Sequence, residues 1–175
     1  MCEAFVSDEE YPAYFVKLEG IREKVAEELE LSGDVLDIAT GSAHYAMALA
    51  RKHPNIHVTA IDNAGLKTGR ENVDEAGLSS RITLREMDAT RLEFEDGSFD
   101  HVVNFLGLED IHMTRGREGV EKAFKEAHRV LKPGGSFCFV AMPSDMAETP
   151  AQRKRSRSSP GYATQRGCLE PSTWT

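Results

Sequence analysis

Hydrophobic positions recur along residues 13–142 with two different periods, and they predict alternating helices and strands. In the segment 13–30 they fall every three or four positions, as in an amphipathic helix. Short apolar runs then alternate with further helical patterns. The predicted strands are DVLDIA, HVTAID, RITLREMD, FDHVVNFLG and SFCFVAM, and the helices between them are SAHYAMALARKH, GLKTGRENVDEAG and REGVEKAFKEAHRVL.

This alternation predicts an α/β fold with a doubly wound, mostly parallel sheet. Parallel strands need long crossover connections, and the predicted helices supply them. The strands read as nearly continuous apolar runs, without a regular exchange of apolar and polar residues. We therefore expect helices on both faces of the sheet, so that every strand is buried on both sides.

Acidic residues lie at the ends of three successive predicted strands. Asp37 belongs to the end of the first strand, Asp62 to the second and Asp88 to the third. The carboxyl ends of parallel strands meet at one edge of a sheet, where ligands bind in doubly wound folds. Because a buried carboxylate without a partner is costly, packing alone does not explain the pattern. We therefore predict a polar ligand site at this edge.

The loop after the first strand is suited to close approach of a ligand. Gly41 leaves room for a ligand where a side chain would block it, and the helix start behind it offers free N–H groups. Asp62 follows Gly41 by 21 positions, the spacing of an acid that binds ribose hydroxyls. A dinucleotide fingerprint would place glycines where this chain has Ala39, Gly41 and His44. Three acids instead suit S-adenosylmethionine, with its sulfonium, ammonium and hydroxyl groups.

The segment VLDIATGSAHYAMALA resembles motif I of the class I S-adenosylmethionine-dependent methyltransferases. TAIDNA, REMDAT and FDHVVNFLGLED resemble motifs II, III and IV, and LKPGGSF is similar to the turn before the fifth strand. The resemblance covers residues 30–142 in the order of the family. One departure is that family loops read D-x-G-x-G-x-G, whereas this chain has Ala39 and Ala43 in place of two glycines.

The resemblance implies a position along the cofactor for each residue of the predicted site. Asp62 would bind the ribose hydroxyls, and Asn63 would lie beside the adenine. Asp88 would accept from the adenine amino group, Ala89 would line the ring, and Asn104 would lie near the sulfonium. From the methionine end to the adenine end, the implied residues are Asp37, Ala39, Thr40, Gly41, Asn104, Asp62, Asn63, Asp88 and Ala89.

The methyl acceptor is harder to predict. Amino-methylating enzymes that act on adenine or glutamine carry N-P-P-[YF] after the fourth strand, whereas this chain reads NFLG. By analogy we expect a small-molecule acceptor. The alternatives are a cofactor-binding module without turnover, or a methyltransferase acting on protein or RNA. His112, in the predicted loop GLEDIHMTRG, is a candidate general base.

The C-terminal segment departs from the family. Beyond Met142 aliphatic residues almost disappear, and this composition does not offset the entropy lost on ordering. We therefore expect a methyltransferase domain at 1–146 that lacks the family's last two strands. We expect a basic, disordered or non-native tail at 147–175. The fifth strand would then be an exposed edge through which a homodimer could form.

Composition and charge exclude several other classes of partner. The chain has 175 residues, of which 40% are hydrophobic, as in one globular domain. The net charge is −8 although residues 151–175 are basic, so duplex nucleic acid is a poor main ligand. We expect no membrane partner, because neither a long apolar span nor a signal peptide is present. Three cysteines without metal-binding spacing indicate free thiols and a cytoplasmic protein.

Overall fold

The computed structural model describes the backbone of residues 11–141 and 165–169 and the side chains of residues 18–141. Helices and strands alternate in this part of the chain, as the sequence predicts. The helices are α1 (Tyr11–Glu28), α2 (His44–Lys52), α3 (Lys67–Glu75) and α4 (Leu108–Val130). The strands are β1 (Gly33–Ile38), β2 (Ile56–Asp62), β3 (Ile82–Glu86), β4 (Phe99–Phe105), β5 (Leu131–Ala141) and β6 (Gln165–Leu169).

The strands form one sheet in the order β3-β2-β1-β4-β5-β6. Strands β1 to β5 are parallel to one another, and β6 runs antiparallel to β5. The chain builds outward from β1 to β3 and then returns, so that β4 pairs with the other side of β1. The point at which the strand order reverses therefore lies between β1 and β4, and the doubly wound class is confirmed.

A separate hydrophobic core lies on each face of the sheet. Val35 of β1 and Val103 of β4 belong to the core that packs against α1, α2 and α3. Their chain neighbours Leu36 and Val102 belong to the other core, which packs against α4. Adjacent residues of one strand thus enter opposite cores, which explains the continuous apolar runs.

None of the helices in the described ranges combines the length and the apolar character that crossing a membrane requires.

The segment GLEDIHMTRG, expected to be a loop, is helical, and this prediction was wrong. Helix α4 begins at Leu108 and is interrupted at Gly116, which has φ 65° and ψ −169°. Acidic residues in the first turn, Glu109 and Asp110, favour the helix N-terminus, and Ile111 packs into the core beneath α4. The interruption divides α4 into two helical segments, a first segment of residues 108–115 and a second segment beyond Gly116.

The expectation of a bare edge at β5 was also wrong. Strand β6 lies within the predicted tail and pairs with residues 137–141 of β5. Composition could not reveal this strand, because pairing uses backbone N–H and C=O groups that every residue except proline carries. The predicted homodimer contact through an exposed β5 edge is therefore not available at residues 137–141, because β6 already pairs there. The rest of the predicted tail, residues 147–164 and 170–175, lies outside the described residues.

Cys138 of β5 is disulfide-bonded, so the prediction of free thiols was wrong for this residue. Its register partner on β6 is Cys168, which is distant in sequence. Only the pairing of the two strands brings these backbone positions together, and sequence spacing carries no sign of it.

Candidate cofactor-binding site

The loop between β1 and α2 turns through three left-handed residues. Ala39, Gly41 and Ala43 have φ values of 54°, 55° and 63°. These are the positions of the three family glycines, and only one is glycine here. A left-handed conformation costs an alanine about 1–2 kcal/mol, so the loop keeps its bend against local strain. The surrounding contacts must therefore hold it in place.

The end of β2 provides the first of these contacts. The Gly41 N–H donates to Asp62 Oδ2 over 2.7 Å, and the Ala64 N–H donates to Asp62 Oδ1 over 2.8 Å. One step earlier, the Thr40 N–H donates to the Ile61 carbonyl over 3.0 Å. Because a carboxylate offers about four acceptor positions, Asp62 anchors the loop and retains capacity for a ligand.

Helix α3 supports the loop from the other side. The Asn72 side-chain amide donates to the Ser42 carbonyl over 3.0 Å. Gly69 allows close approach, since a β-carbon there would lie 3.3 Å from the Gly41 carbonyl oxygen. Neither residue was among the predicted site residues. The sequence did contain one sign, because a glycine inside a helical pattern often marks close packing.

Asp37 lies under the loop, and its side chain is 1% exposed. Its Oδ2 accepts a hydrogen bond from Thr40 Oγ1 over 2.6 Å. Burial raises the pKa of Asp37 to about 7, the charge of Asp62 acts in the same direction, and the Thr40 hydrogen bond opposes both. Asp37 is thus partly protonated near neutral pH and fixes the loop from below. Its predicted role towards the methionine part of the cofactor stays a prediction.

Asp88 follows β3 and lies beside Asp62 on the same edge of the sheet. The Met87 N–H donates to the Asp62 carbonyl over 2.9 Å, which joins the two strand ends. Asp88 Oδ1 accepts from the Thr90 N–H and the Thr90 hydroxyl over 2.9 and 2.8 Å, and Oδ2 pairs with Arg115 over 2.5 Å. Partial burial acts to raise the pKa of Asp88, but the hydrogen bonds from Thr90 and the charge of Arg115 lower it. The carboxylate is therefore ionised at neutral pH.

Asn104 occupies the switch point between β1 and β4. It is 0% exposed, and its amide donates to the Ile38 carbonyl over 2.8 Å. Within the described ranges its Oδ1 has no hydrogen-bond partner. A β-carbon on nearby Gly107 would lie 2.8 Å from the Ala39 carbonyl oxygen and 2.7 Å from the Asn104 amide nitrogen. Asn104 thus ties the ends of β1 and β4 together, and its predicted place near the sulfonium stays a prediction.

The remaining predicted residues lie near the β1–α2 loop and the strand ends. Asn63 is exposed next to Asp62, whereas Ala89 is buried in the core beneath α4. His112 is half-buried on the first segment of α4, two residues beyond Asp110. Partial burial and then the charge of Asp62 raise the pKa of Asp110. Gly107, the N-cap of α4, lies against the loop, since a β-carbon there would be 2.5 Å from the Ala39 β-carbon. The N-terminal segment of α4 therefore borders the site.

The groups at this edge fit an adenosyl sulfonium cofactor. Asp62 keeps acceptor positions for hydroxyl donors. Asp88, whose Oδ2 is paired with Arg115, lies next to it along the sheet. Above Gly41 there is open space, since a β-carbon would meet no described atom within 4 Å. Ala43, the N-cap of α2, makes no side-chain capping hydrogen bond, so the first N–H groups of the helix suit a carboxylate.

Comparisons with known sequences identify the family of this chain. The family described as "Methyltransferase domain" matches residues 35–135, more than half of the chain. The ubiquinone/menaquinone biosynthesis C-methyltransferase UbiE of Brucella anthropi is 36% identical over 105 residues, which cover 58% of this chain and 38% of that protein. A demethylmenaquinone methyltransferase of Listeria welshimeri is 36% identical over 110 residues, which cover 61% and 44%. The chain thus spans less than half the length of these relatives in the match.

A solved structure shares the fold at lower identity. An O-methyltransferase family protein from Burkholderia thailandensis superposes with a TM-score of 0.68 at 22% identity, over 84% of this chain and 45% of that one. The motif resemblance, the sheet order and the family match therefore agree. The chain belongs to the methyltransferase domain family, whose cofactor is S-adenosylmethionine.

Proposed function

We propose that this domain binds S-adenosylmethionine at the carboxyl edge of β1, β2 and β3 and transfers its methyl group to a small-molecule acceptor. The strongest support for the proposal is that Asp62 anchors the left-handed loop between β1 and α2. It leaves open space above Gly41 and acceptor positions on the same carboxylate.

The adenosine half of the cofactor is assigned to Asp62 and Asp88. The free acceptor positions of Asp62 suit the two ribose hydroxyls, and the carboxylate of Asp88 suits the amino group of adenine. Asn63 and Ala89 are assigned to the surroundings of the adenine ring. A charge-assisted hydrogen bond of this kind contributes about 1.5–3 kcal/mol, so each acid is a measurable determinant of affinity.

The methionine half is assigned to the loop and the start of α2. The N–H groups at the α2 N-terminus suit the carboxylate of the cofactor, which the helix dipole also favours. Asp37, held by Thr40, keeps the loop in its bent form from below. Asn104 restrains the same loop through Ile38, at the position where the sulfonium would lie.

When bound, S-adenosylmethionine supplies a methyl group that its sulfonium already activates. The protein then has to align the acceptor with that group and exclude water. The first segment of α4 borders the site and carries Asp110 and His112, so we assign the acceptor side to it. His112 is the candidate for removing a proton from the acceptor.

The acceptor proposed is a quinone precursor or a similar aromatic small molecule. Two relatives carry names that place them in menaquinone methylation, and the match with them includes the cofactor motifs. The N-P-P-[YF] motif of amino-methylating enzymes is not present after β4. The excess of acidic residues further disfavours an RNA acceptor.

Two measurements, made one after the other, test the proposal. Calorimetric titration with S-adenosylhomocysteine should give binding, whereas NAD should give none. Label from methyl-labelled S-adenosylmethionine should then pass to demethylmenaquinone and not to the protein or RNA fraction of an extract. Tight binding of NAD would overturn the cofactor assignment. Cofactor binding without labelled product in any fraction would instead support a binding module without turnover.

A further inference from the structure

The carboxylate of Asp88 is in direct contact with a cation that the methyltransferase motifs do not include. Arg115 Nη2 lies 2.5 Å from Asp88 Oδ2. We infer that Arg115 determines the preference of the site for the purine ring, because it competes with the 6-amino group of adenine for Asp88. This inference rests on the proposed cofactor site, in which Asp88 accepts from that amino group.

The acceptor capacity of Asp88 supports the competition. Its Oδ1 already accepts two hydrogen bonds from Thr90, over 2.9 and 2.8 Å. A carboxylate has about four acceptor positions, and Oδ2 is the oxygen that Arg115 holds. An adenine amino group can therefore bind Asp88 well only at Oδ2. A planar guanidinium at that oxygen leaves little room for a second donor.

The structure also provides an alternative position for the guanidinium. A cavity of about 310 Å³ adjoins the pair. Its lining residues are Thr90, Thr114, Arg115, Glu118, Gly119 and Lys122. The Glu118 carboxylate accepts from Lys122 over 2.8 Å and its side chain is 78% exposed, so it can take a second cation. Arg115, whose side chain is 46% exposed, can leave Asp88 for Glu118 within this space.

The break in α4 lies between these two positions. Gly116 has φ 65° and ψ −169°, a conformation that favours glycine, and it separates Arg115 from Glu118. The aliphatic part of the Arg115 side chain lies against Gly119 of the second segment, so rotation about its side-chain bonds can turn the guanidinium towards Glu118 while both helical segments stay in place. Release of Asp88 thus needs a local rearrangement only.

The chemistry of the purine 6-position makes the inference specific. A guanidinium only donates hydrogen bonds. It therefore competes with a 6-amino group, which is also a donor, but it can donate to a 6-oxo group. Arg115 on Asp88 should weaken binding of an adenosyl ligand and tolerate an inosyl ligand.

The first test compares two ligands that differ at this position. S-adenosylhomocysteine and S-inosylhomocysteine are titrated against the full chain and against Arg115→Gln. The variant should bind the adenosyl ligand about threefold to tenfold more tightly, which is the scale of a partly exposed ion pair. It should bind the inosyl ligand no better than the original chain does. Lys125→Gln, an exposed cation on the same helix, is the matched control and should change neither affinity.

The second test removes the alternative partner. Glu118→Gln should weaken binding of S-adenosylhomocysteine about threefold, because the displaced guanidinium loses its anionic partner. The double variant with Arg115→Gln should bind like Arg115→Gln alone. Thermal unfolding of every variant checks that the fold is intact. A merely structural role for Arg115 would not give opposite signs for the two single variants.

Two outcomes separate this inference from the proposed function. If the original chain binds S-adenosylhomocysteine and Arg115→Gln binds it equally or more weakly, the competition is overturned and the cofactor site stands. If no variant binds either ligand, the cofactor site itself is overturned and the inference with it.

Discussion

The carboxylate of Asp62 accepts the backbone N–H of Gly41 over 2.7 Å, although the two residues are 21 positions apart in sequence. Asp62 is the acid that the motif assigns to the ribose of the cofactor. It also holds the β1–α2 loop, which is assigned to the methionine part of the cofactor. One side chain thus holds the loop and is the proposed contact of the ribose. Experiments on this site must separate a loss of affinity from a loss of stability.

Replacement of Asp62 should affect both quantities. Asp62→Ala removes the acceptor for Gly41 and Ala64, and it should lower the free energy of unfolding by about 1–3 kcal/mol. It should also weaken S-adenosylhomocysteine binding by roughly tenfold or more. Denaturant unfolding and calorimetry measure the two effects. Asp74→Ala, which removes an acid bonded to Ser79 at the end of α3, is the control and should leave affinity unchanged.

A side chain at Gly41 should affect binding more than stability. Gly41→Ala places an alanine at φ 55°, which costs about 1–2 kcal/mol, and its β-carbon enters the space proposed for the cofactor. Gly77→Ala is a close control, because Gly77 has φ 66° and also has open space within 4 Å among the described atoms. Both variants should lose similar stability in denaturant unfolding. Only Gly41→Ala should lose affinity for S-adenosylhomocysteine, and equal affinities would contradict the placement of the cofactor.

The stability of the protein should depend on pH through Asp37. Burial raises its pKa from 3.8 to about 7, so the native state holds a proton that the unfolded state releases between these values. The free energy of unfolding should therefore fall as the pH rises from about 4 to about 7, by roughly 4 kcal/mol from this group. Above pH 7 the penalty stays constant.

Asp37→Asn should remove this dependence, because an amide does not ionise and its oxygen can still accept from Thr40. Denaturant unfolding at about pH 5 and about pH 8 should show that the free energy of unfolding of the variant increases relative to that of the original chain as the pH rises. Asp74→Asn serves as the control for an exposed acid. Parallel profiles for Asp37→Asn and the original chain would contradict the burial argument.

Gly107 should tolerate no side chain. The β-carbon of Gly107→Ala would lie 2.5 Å from the Ala39 β-carbon and 2.7 Å from the Asn104 amide nitrogen. We expect a loss of about 1–3 kcal/mol in the free energy of unfolding from this overpacking, together with a displaced loop and weaker cofactor binding. Gly20→Ala in α1 is the contrasting control. No described atom lies within 4 Å of its β-carbon, so it should gain about 0.5–1 kcal/mol in thermal or denaturant unfolding.

The acids at the strand ends could be predicted because the sequence patterns that mark them span only a few residues. Asp37, Asp62 and Asp88 were assigned to one edge since each follows a predicted strand, and parallel strands end on the same side. Asp62 and Asp88 lie beside each other through the Met87 hydrogen bond, as expected. Gly41 was assigned to the site because it allows close approach of a ligand, and open space surrounds its β-carbon position among the described atoms.

Other parts of the site had no local signal. Arg115 reaches Asp88 from a helix far along the chain, and nothing in its immediate sequence marks it. Asn104 was predicted to lie near the sulfonium, but no local pattern showed that its amide would donate to the Ile38 carbonyl. The helical segment before Gly116 was taken for a loop, because its polar residues outweigh its two buried apolar positions, Leu108 and Ile111.

The sequence by itself determined the order of helices and strands, the parallel sheet and the acids at its edge, since these follow from periodicity and from residues a few positions apart. Only the tertiary structure decided which groups hold those acids, that β6 covers β5, and that Cys138 is disulfide-bonded. The physical reason is the range of the interactions. The period of hydrophobic positions can be read from neighbouring residues. Hydrogen bonds and strand pairings between distant segments depend instead on how the elements pack.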